Sequence, residues 1–330
     1  MWCAPEEELR DPVEAALRLA GRPGLAWLDG DGGEGQGRYS FVGSDPVELR
    51  SAHFGDPLAL HVSPDHSVDL EPPRSGPPSS IVPRWVGYLA YDAAFPALVA
   101  GPLVHARSSD PVVYWARYPA LYVFDHATGR AFVCGDDERA CAELRGRLQS
   151  HPAKPEACTG AVLAPDRADH LRAVEAVLEH IARGDVYQVN LARRFSASLE
   201  GEPLALFLAM RAESPVPFGF YLDTGRLAVL GRSMERFLRW EGPGGSLESR
   251  PIKGTVACSV GGESAASEAL RADAKEHAEH AMIVDLVRND LGRIAEVGSV
   301  AVTEVFEVEP YARLSHLVST VRCRTRSDVR

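Results

Sequence analysis

Lys253 stands in the run Ser-Arg-Pro-Ile-Lys-Gly-Thr at residues 249–255. Pro251 fixes its own φ and Gly254 permits close backbone approach, so the segment is short, stiff and sterically open around one amine. Such a segment presents an amine to a small substrate, although a surface lysine beside a turn carries the same local signature. A second cluster follows at 275–291, Lys-Glu-His-Ala-Glu-His-Ala-Met-Ile-Val-Asp-Leu-Val-Arg-Asn-Asp-Leu. At about 100° per residue, Glu276 and Glu279 fall roughly 60° apart on one helical face, one turn from each other. Two carboxylates that close repel unless a cation lies between them, and Mg²⁺ is the natural candidate. A solvated acidic face with Lys275 as its counter-charge would look the same in sequence.

The elements that must hold these groups follow from periodicity. A helix is expected over about 265–290, carrying both glutamates, with strands near 299–308 and 314–323. Leu171, Val174, Leu178 and Ile181 recur at helical spacing, with Asp169 near the start and Gly184 just past the end. A strand over 186–195 would place Gln188 and Asn190 on one face, the mark of either a wet cavity or hydrogen-bonded polar packing. Residues 218–223 and 226–231 flank Thr224-Gly225 as a hairpin, and another strand pair flanks the loop at 242–245. Glycine-rich residues 29–37 and the Pro/Ser/Gly stretch 71–80 read as loops, and 150–160 as a linker. Strands paired through short turns with helices between groups predict an α+β fold with mainly antiparallel sheets.

Composition narrows the functions. The net charge is −11, from 35 basic and 46 acidic residues. No basic cluster stands out, which argues against nucleic acid or an anionic membrane surface as partner. Six cysteines (Cys3, Cys134, Cys141, Cys158, Cys258, Cys323) show no C-x-x-C pair and are expected to be ordinary thiols in a reducing cytoplasm. No apolar run approaches about 18 residues, so no membrane-spanning helix is expected, and the start carries no secretory pattern.

Taken together, R-P-I-K-G-T and K-E-x-x-E-H-x-M-I-V-D-L-V-R-N-D-L-G-R resemble the chorismate-utilising enzyme family. Within it they look most like the branch of aminodeoxychorismate synthase component I. Gly-Asp-Val-Tyr-Gln-Val-Asn-Leu at 184–191 and Ser-Met-Glu-Arg-Phe-Leu at 233–238 are similar to the family's G-D-x-Y-Q-V-N-L and S-P-E-R-F-L. Tyr-Ala-Arg-Leu-Ser-His-Leu-Val-Ser at 311–319 resembles its Y-x-x-x-x-H-L-V-S. Weaker echoes lie at 37–41 and 86–92. The resemblance is collinear from about residue 25 to 321. It implies large antiparallel sheets packed as a sandwich and wrapped by helices, with an N-terminal region at 1–160 and a chorismate-binding region at 161–330.

The chemistry it implies is chorismate plus ammonia giving 4-amino-4-deoxychorismate, on the way to p-aminobenzoate and folate. The ammonia comes from glutamine through a separate glutaminase subunit. Glu276 and Glu279 match the family's Mg²⁺ residues, the metal holding the ring carboxylate as a Lewis acid. The Lys253 amine matches the one taken to add at ring C2 while the C4 hydroxyl leaves. For that its pKa must fall from about 10.4 towards roughly 7–8. Glu235 matches a proton-transfer glutamate, with Met234 where the family has proline. His316 matches the histidine beside the departing hydroxyl, while Gly254, Thr255 and Gln188 match substrate-binding positions. Anthranilate synthases carry alanine in place of Lys253, and isochorismate and salicylate synthases a lysine in place of Gln188. A possible amino-acid site falls on Arg38, Tyr39, Ser40, Phe41, Pro217, Phe218 and Gly219; Gly30 and Gly219 stand where serines are usual, and plain aromatic packing fits equally. The resemblance also leads one to expect a further segment, with G-A-P-K and two more metal glutamates, which this sequence lacks. On that ground the 330-residue chain is expected to be inactive alone. Anthranilate synthesis and a non-catalytic fragment with a docking or amino-acid-binding surface remain the alternatives.

Overall fold

The computed structural model describes residues 1–33, 36–54, 77–78, 81–94, 109–257, 263–311 and 313–329. Its largest sheet is built from β1 (Trp2–Glu6), β2 (Ala26–Asp29), β3 (Tyr39–Gly43), β7 (Ala120–Asp125), β8 (Arg130–Gly135), β11 (Phe218–Asp223) and β12 (Ala228–Ser233). Their order is β1-β8-β7-β3-β2-β11-β12, antiparallel throughout. The hairpin expected around Thr224-Gly225 is β11–β12, and it pairs onto β2 from far earlier in the chain. A three-stranded sheet holds β4 (Glu48–Ala52), β5 (Trp85–Leu89) and β6 (Val113–Arg117) in the order β4-β6-β5. Val86, Tyr114 and Ala116 of this sheet share one apolar cluster with Leu121, Val123, Phe132 and Leu222 of the large one. Each buried Val, Leu or Phe among them contributes about 1.5–3 kcal/mol. Helices α1 (Pro12–Arg18) and α2 (Glu138–Leu148) start at Asp11 and Asp137, whose carboxylates accept backbone N–H groups at the N-termini.

The remaining sheet holds β13 (Arg236–Trp240), β14 (Ser246–Arg250), β15 (Ile252–Ala257), β16 (Ala301–Pro310) and β17 (Leu314–Arg324). β14 and β15 follow one another along one side of β17, and β16 runs along the other. The helix expected over 265–290 is in fact two, α5 (Glu263–Ala272) and α6 (Ala274–Gly292). Asp273 separates them: its backbone is extended, and its carboxylate accepts the N–H groups of Lys275 and Glu276 as an N-cap. Val284 and Leu291 of α6 pack with Leu247, Val321 and Cys323 of the sheet. These layers make the chain α+β with mainly antiparallel sheets, as expected.

By contacts the chain divides into two compact units, Met1–Ala153 with Ala209–Arg330, and Lys154–Leu208. The first break falls inside the expected linker. A boundary between 160 and 161 concerns regions along the sequence, which this division does not address. The smaller unit contains β9 (Ala157–Thr159), α3 (Arg167–Arg183) and β10 (Leu199–Gly201), with α4 (Pro203–Glu213) crossing its end. Gly184 caps α3 in the left-handed region, as its position predicts. The strand expected over 186–195 is absent: that stretch is irregular, and the ladder nearest to it is an isolated bridge between Leu163 and Ser196. Alternating side chains make a strand only where a neighbouring strand takes up the backbone groups.

One further expectation changes. Antiparallel register sets Cys3 opposite Cys134, and the two form a disulfide rather than staying free thiols. Spacing in sequence cannot reveal a partner 131 residues away. Cys141, Cys158 and Cys323 are free, and Cys258 lies outside the described residues. So does most of the expected loop at 71–80. Among the described residues no helix is long and apolar enough to cross a membrane.

Candidate active site

Lys253 owes its position to an irregularity in β15. Ile252 pairs with Val318 and Thr255 with His316, so three steps on β15 match two on β17 and the ladder bulges between them. Gly254 occupies the bulge at φ +99, a conformation open chiefly to glycine, and is buried. A Cβ there would stand 3.2 Å from Leu317 Cβ and 3.3 Å from Glu276 Oε2. The glycine therefore lets α6 bring its carboxylates down onto the strand that carries the amine.

Lys253 Nζ lies 3.5 Å from Glu279 Oε2, and the lysine side chain is 36% exposed. Lys275 Nζ reaches Glu279 Oε1 at 2.8 Å and Glu276 Oε1 at 3.3 Å. The hydrogen bond from Lys275, helped by Lys253, holds the Glu279 carboxyl below its ordinary pKa. Across the bulge the Thr255 hydroxyl meets His316 Nδ1 at 2.9 Å. Burial pushes His316 below the ordinary imidazole value, against the Gly254 carbonyl and the Glu235 charge, which pull it up. At neutral pH that ring is mostly uncharged. The Glu235 carboxylate accepts the backbone N–H of Ile252 at 3.2 Å, next to the lysine.

The sequence-predicted residues thus separate cleanly. Lys253, Gly254, Thr255, Glu235, Glu276, Glu279 and His316 are brought together on β15, β17, α6 and the turn before β13. Gln188 belongs to the smaller unit, where its side-chain oxygen is buried without a hydrogen-bond partner. Residues 38–41 and 217–219 come to one part of the large sheet, on and beside β3 and β11 with β2 between. There Arg38 pairs with Asp125 at 2.8 Å. The Arg232 guanidinium covers Gly219, where a Cβ would collide with it, and a Cβ on Gly30 would collide with the Gly37 carbonyl.

Sequence reasoning missed what fills that place. Asp29, its side chain 1% exposed, accepts from Arg211 at 2.9 Å and Arg232 at 3.0 Å. Ser40 Oγ lies 3.2 Å from Asp29 and 2.8 Å from His126 Nε2. Asp29 ends a strand otherwise apolar, Ala-Trp-Leu-Asp, and a charge following three apolar strand residues is the signal that could have been followed.

For a divalent cation, Glu276 and Glu279 offer oxygen donors one helical turn apart, and Gly254 keeps the space over Glu276 free of a side chain. The Lys275 ammonium already bridges the two, as a cation would. Among the described residues no group of three or more His, Cys, Asp or Glu side chains is arranged for a metal. A Mg²⁺ site asks only one or two carboxylates of a protein and completes its sphere with water and substrate oxygens, and this pair supplies two.

Comparison with known proteins gives the family. The model of the chorismate binding enzyme family matches residues 33–330. The chain belongs to the chorismate-binding enzymes. Among curated family members it is 40% identical over 263 residues to the aminodeoxychorismate synthase of Streptomyces griseus, covering 74% of this chain and 36% of that protein. It is 36% identical to anthranilate synthase component 1 of Streptomyces coelicolor, covering 88% of this chain and 61% of that one. The chain therefore spans between about a third and three fifths of the length of these two relatives. The crystal structure of anthranilate synthase component I from Streptococcus pneumoniae superposes with a TM-score of 0.72 at 24% identity, over 88% of this chain and 70% of that chain. That likeness carries the fold.

Proposed function

We propose that this chorismate-binding enzyme acts as the synthase component of aminodeoxychorismate synthase, turning chorismate and ammonia into 4-amino-4-deoxychorismate. The single observation behind the choice is the Lys253 amine, half-exposed in the β15 bulge and 3.5 Å from Glu279 on the carboxylate-bearing helix. The 40% identity to a relative of that name supports it.

In this reading the Lys253 amine adds to ring C2, the ring double bond shifts, and the C4–O bond breaks. The protonated form of His316, a minority at neutral pH because burial lowers its pKa, is held by Thr255 and gives its proton to the departing hydroxyl, which leaves as water. Glu235 takes the proton that the lysine nitrogen sheds. Ammonia then adds at C4, the double bond shifts back, and the C2–N bond to Lys253 breaks as Glu235 returns its proton to the leaving amine; the ammonium formed at C4 gives a proton back to His316. Gly254 and Thr255 orient the substrate. Glu276 and Glu279 would hold Mg²⁺, which supplies Lewis-acid stabilisation of the ring carboxylate. A glutaminase subunit delivers the ammonia, and the pathway is p-aminobenzoate and folate synthesis in the cytoplasm.

Anthranilate synthesis is the competing reading, because a relative 36% identical over 88% of the chain bears that name. The test is product identity. Chorismate, Mg²⁺ and an ammonium salt are given to the protein as its own cells make it, and the products are separated by chromatography. 4-Amino-4-deoxychorismate is expected; anthranilate as the product would overturn the choice.

A further inference from the structure

Tyr311 opens the stretch that leads to His316, yet the scheme above gives it no task, nor any to Glu309 two residues earlier. Strand β17 has β15 on one side and β16 on the other, and His316 stands in a row across all three. Thr255 is its partner on β15 and Glu309 its partner on β16. Directly opposed residues of antiparallel strands put their side chains on one face, with Cβ atoms about 4.5–5.5 Å apart. The imidazole thus stands between a hydroxyl, which meets Nδ1 at 2.9 Å, and a carboxylate.

That carboxylate is held at both oxygens. Arg250, which ends β14, donates to Glu309 Oε1 at 2.6 Å, and the Tyr311 hydroxyl donates to Oε2 at 2.9 Å. Arg250 is fixed in turn by the Thr320 hydroxyl of β17, which accepts from its Nε at 2.9 Å. Burial first, and then the Glu309 charge, push the Tyr311 hydroxyl above the ordinary phenol pKa, so it stays a donor. The Tyr311 N–H closes the turn onto the Leu314 carbonyl at 2.7 Å. From there its ring folds back onto His316, with centroids 5.7 Å apart and planes at 63°, the edge-to-face contact that aromatic pairs prefer.

Each neighbouring element brings a polar group to this ring. Glu235 before β13, Glu309 on β16 and the Gly254 carbonyl of β15 favour its protonated form, and burial outweighs them. Arg250 is the cation of the group; it is paired with Glu309 and reaches Glu304, also on β16, at 3.3 Å. Thr255 and Tyr311 add uncharged hydroxyls.

We infer that Glu309 is a positioning residue for His316: it faces the imidazole across the ladder as a counter-charge, its two oxygens fixed by Arg250 and by the hydroxyl of Tyr311, whose ring lies against the imidazole. Its importance for turnover rests on the reading of His316 as the acid; its geometry does not.

The chain has eleven histidines. Titration of the full chain, isotope-labelled at histidine and followed by NMR, resolves them, and His316→Gln identifies the His316 signal by its loss. Glu309→Gln removes the negative charge and leaves Arg250 in place. The His316 midpoint is then expected to fall by roughly 0.5–1 pH unit, leaving about three- to tenfold less imidazolium at neutral pH. Arg250→Gln leaves the carboxylate uncompensated, and the midpoint should rise by a similar amount. A cluster that only closed the hairpin would respond differently. Either loss would admit water and lift the buried ring towards its ordinary value of 6.5. A rise or no change in Glu309→Gln, or a fall or no change in Arg250→Gln, overturns the inference. If either variant shows no thermal transition, Glu309→Asp, which draws the charge back by one methylene, decides: a smaller fall supports the inference, and a rise or no change overturns it. Titration needs no substrate, so failure of the chorismate assay leaves this result readable.

Discussion

Asp29 and Glu279 each sit between two cationic side chains, yet the two carboxylates live in different worlds. Asp29 is 1% exposed and bound by two guanidiniums, Arg211 and Arg232, with Ser40 and His126 closing the remaining side. Glu279 is 32% exposed and faces two ammonium groups, one of which, on Lys275, is 72% exposed. Planar guanidiniums lock a carboxylate in fixed geometry, whereas an ammonium is a point charge on a flexible stem. The first cluster ties β2 to β12 and to the helix before β11. The second keeps an amine, two carboxylates and open space together, so a metal or a ring can still enter. Ionic groups that support a fold are sealed; those that do chemistry stay reachable.

Substitution should pull the two clusters apart, and the largest effect belongs to the open one. Lys253→Ala is expected to lower formation of 4-amino-4-deoxychorismate by on the order of 10³-fold or more, the scale of losing a covalent nucleophile. Its thermal transition should stay near that of the unsubstituted chain. Activity retained within tenfold would show that Lys253 is a neighbour of the reaction rather than a participant. In the sealed cluster, Asp29→Ala strands two guanidiniums, one of them nearly buried. The expected cost is about 3–5 kcal/mol of unfolding free energy, read from urea denaturation. A loss under about 1 kcal/mol would mean that water reaches the site freely.

Acid should separate the clusters too. Burial holds His126 below the ordinary imidazole value, with Asp29 pulling it upward less strongly. A depressed imidazole means that the unfolded chain takes up this proton first. Its contribution to stability is thus complete above about pH 6.5 and is lost as pH falls towards the folded value. Glu279 is depressed as well, by the Lys275 hydrogen bond first. As a carboxylate, its contribution persists until pH drops below the ordinary glutamate value of 4.5 and on through the folded one. His126→Gln should therefore flatten the dependence of Tm on pH below about 6.5, and leave the more acidic part unchanged. An identical Tm–pH curve would remove His126 from the account.

How much of this was legible beforehand differs between the clusters for a physical reason. Lys253, Glu276 and Glu279 declare themselves locally, by a proline–glycine frame and by helical spacing, and the structure sets them side by side. The hairpin at 218–233 was equally local, because its turn is written into Thr224-Gly225. Asp29, Arg211 and Arg232 meet only through the strand order β3-β2-β11-β12, and nothing within a short window encodes that order. The Cys3–Cys134 disulfide hides in the same way, in the register of β1 on β8. Asp273 could have been read: an N-cap aspartate three residues before Glu276 divides the expected long helix. The failed strand at 186–195 shows the converse, since alternation alone does not supply a partner.

The smallest effect on stability tests the comparison most finely. Lys275 bridges Glu276 and Glu279 from a fully solvated position, and exposed pairs of this kind contribute little to folding because water screens them and the long side chain loses freedom. Lys275→Ala should leave Tm unchanged. Yet on the proposed function the ammonium stands where Mg²⁺ would bind, so a bound cation would have to displace it. Removing it should tighten Mg²⁺ binding a few-fold in isothermal titration calorimetry, because the two carboxylates then repel each other until the metal arrives. Weaker binding would mean that the lysine orients the pair rather than competing for it. A large drop in Tm would mean that the second cluster is sealed after all, and that the contrast with Asp29 is one of degree.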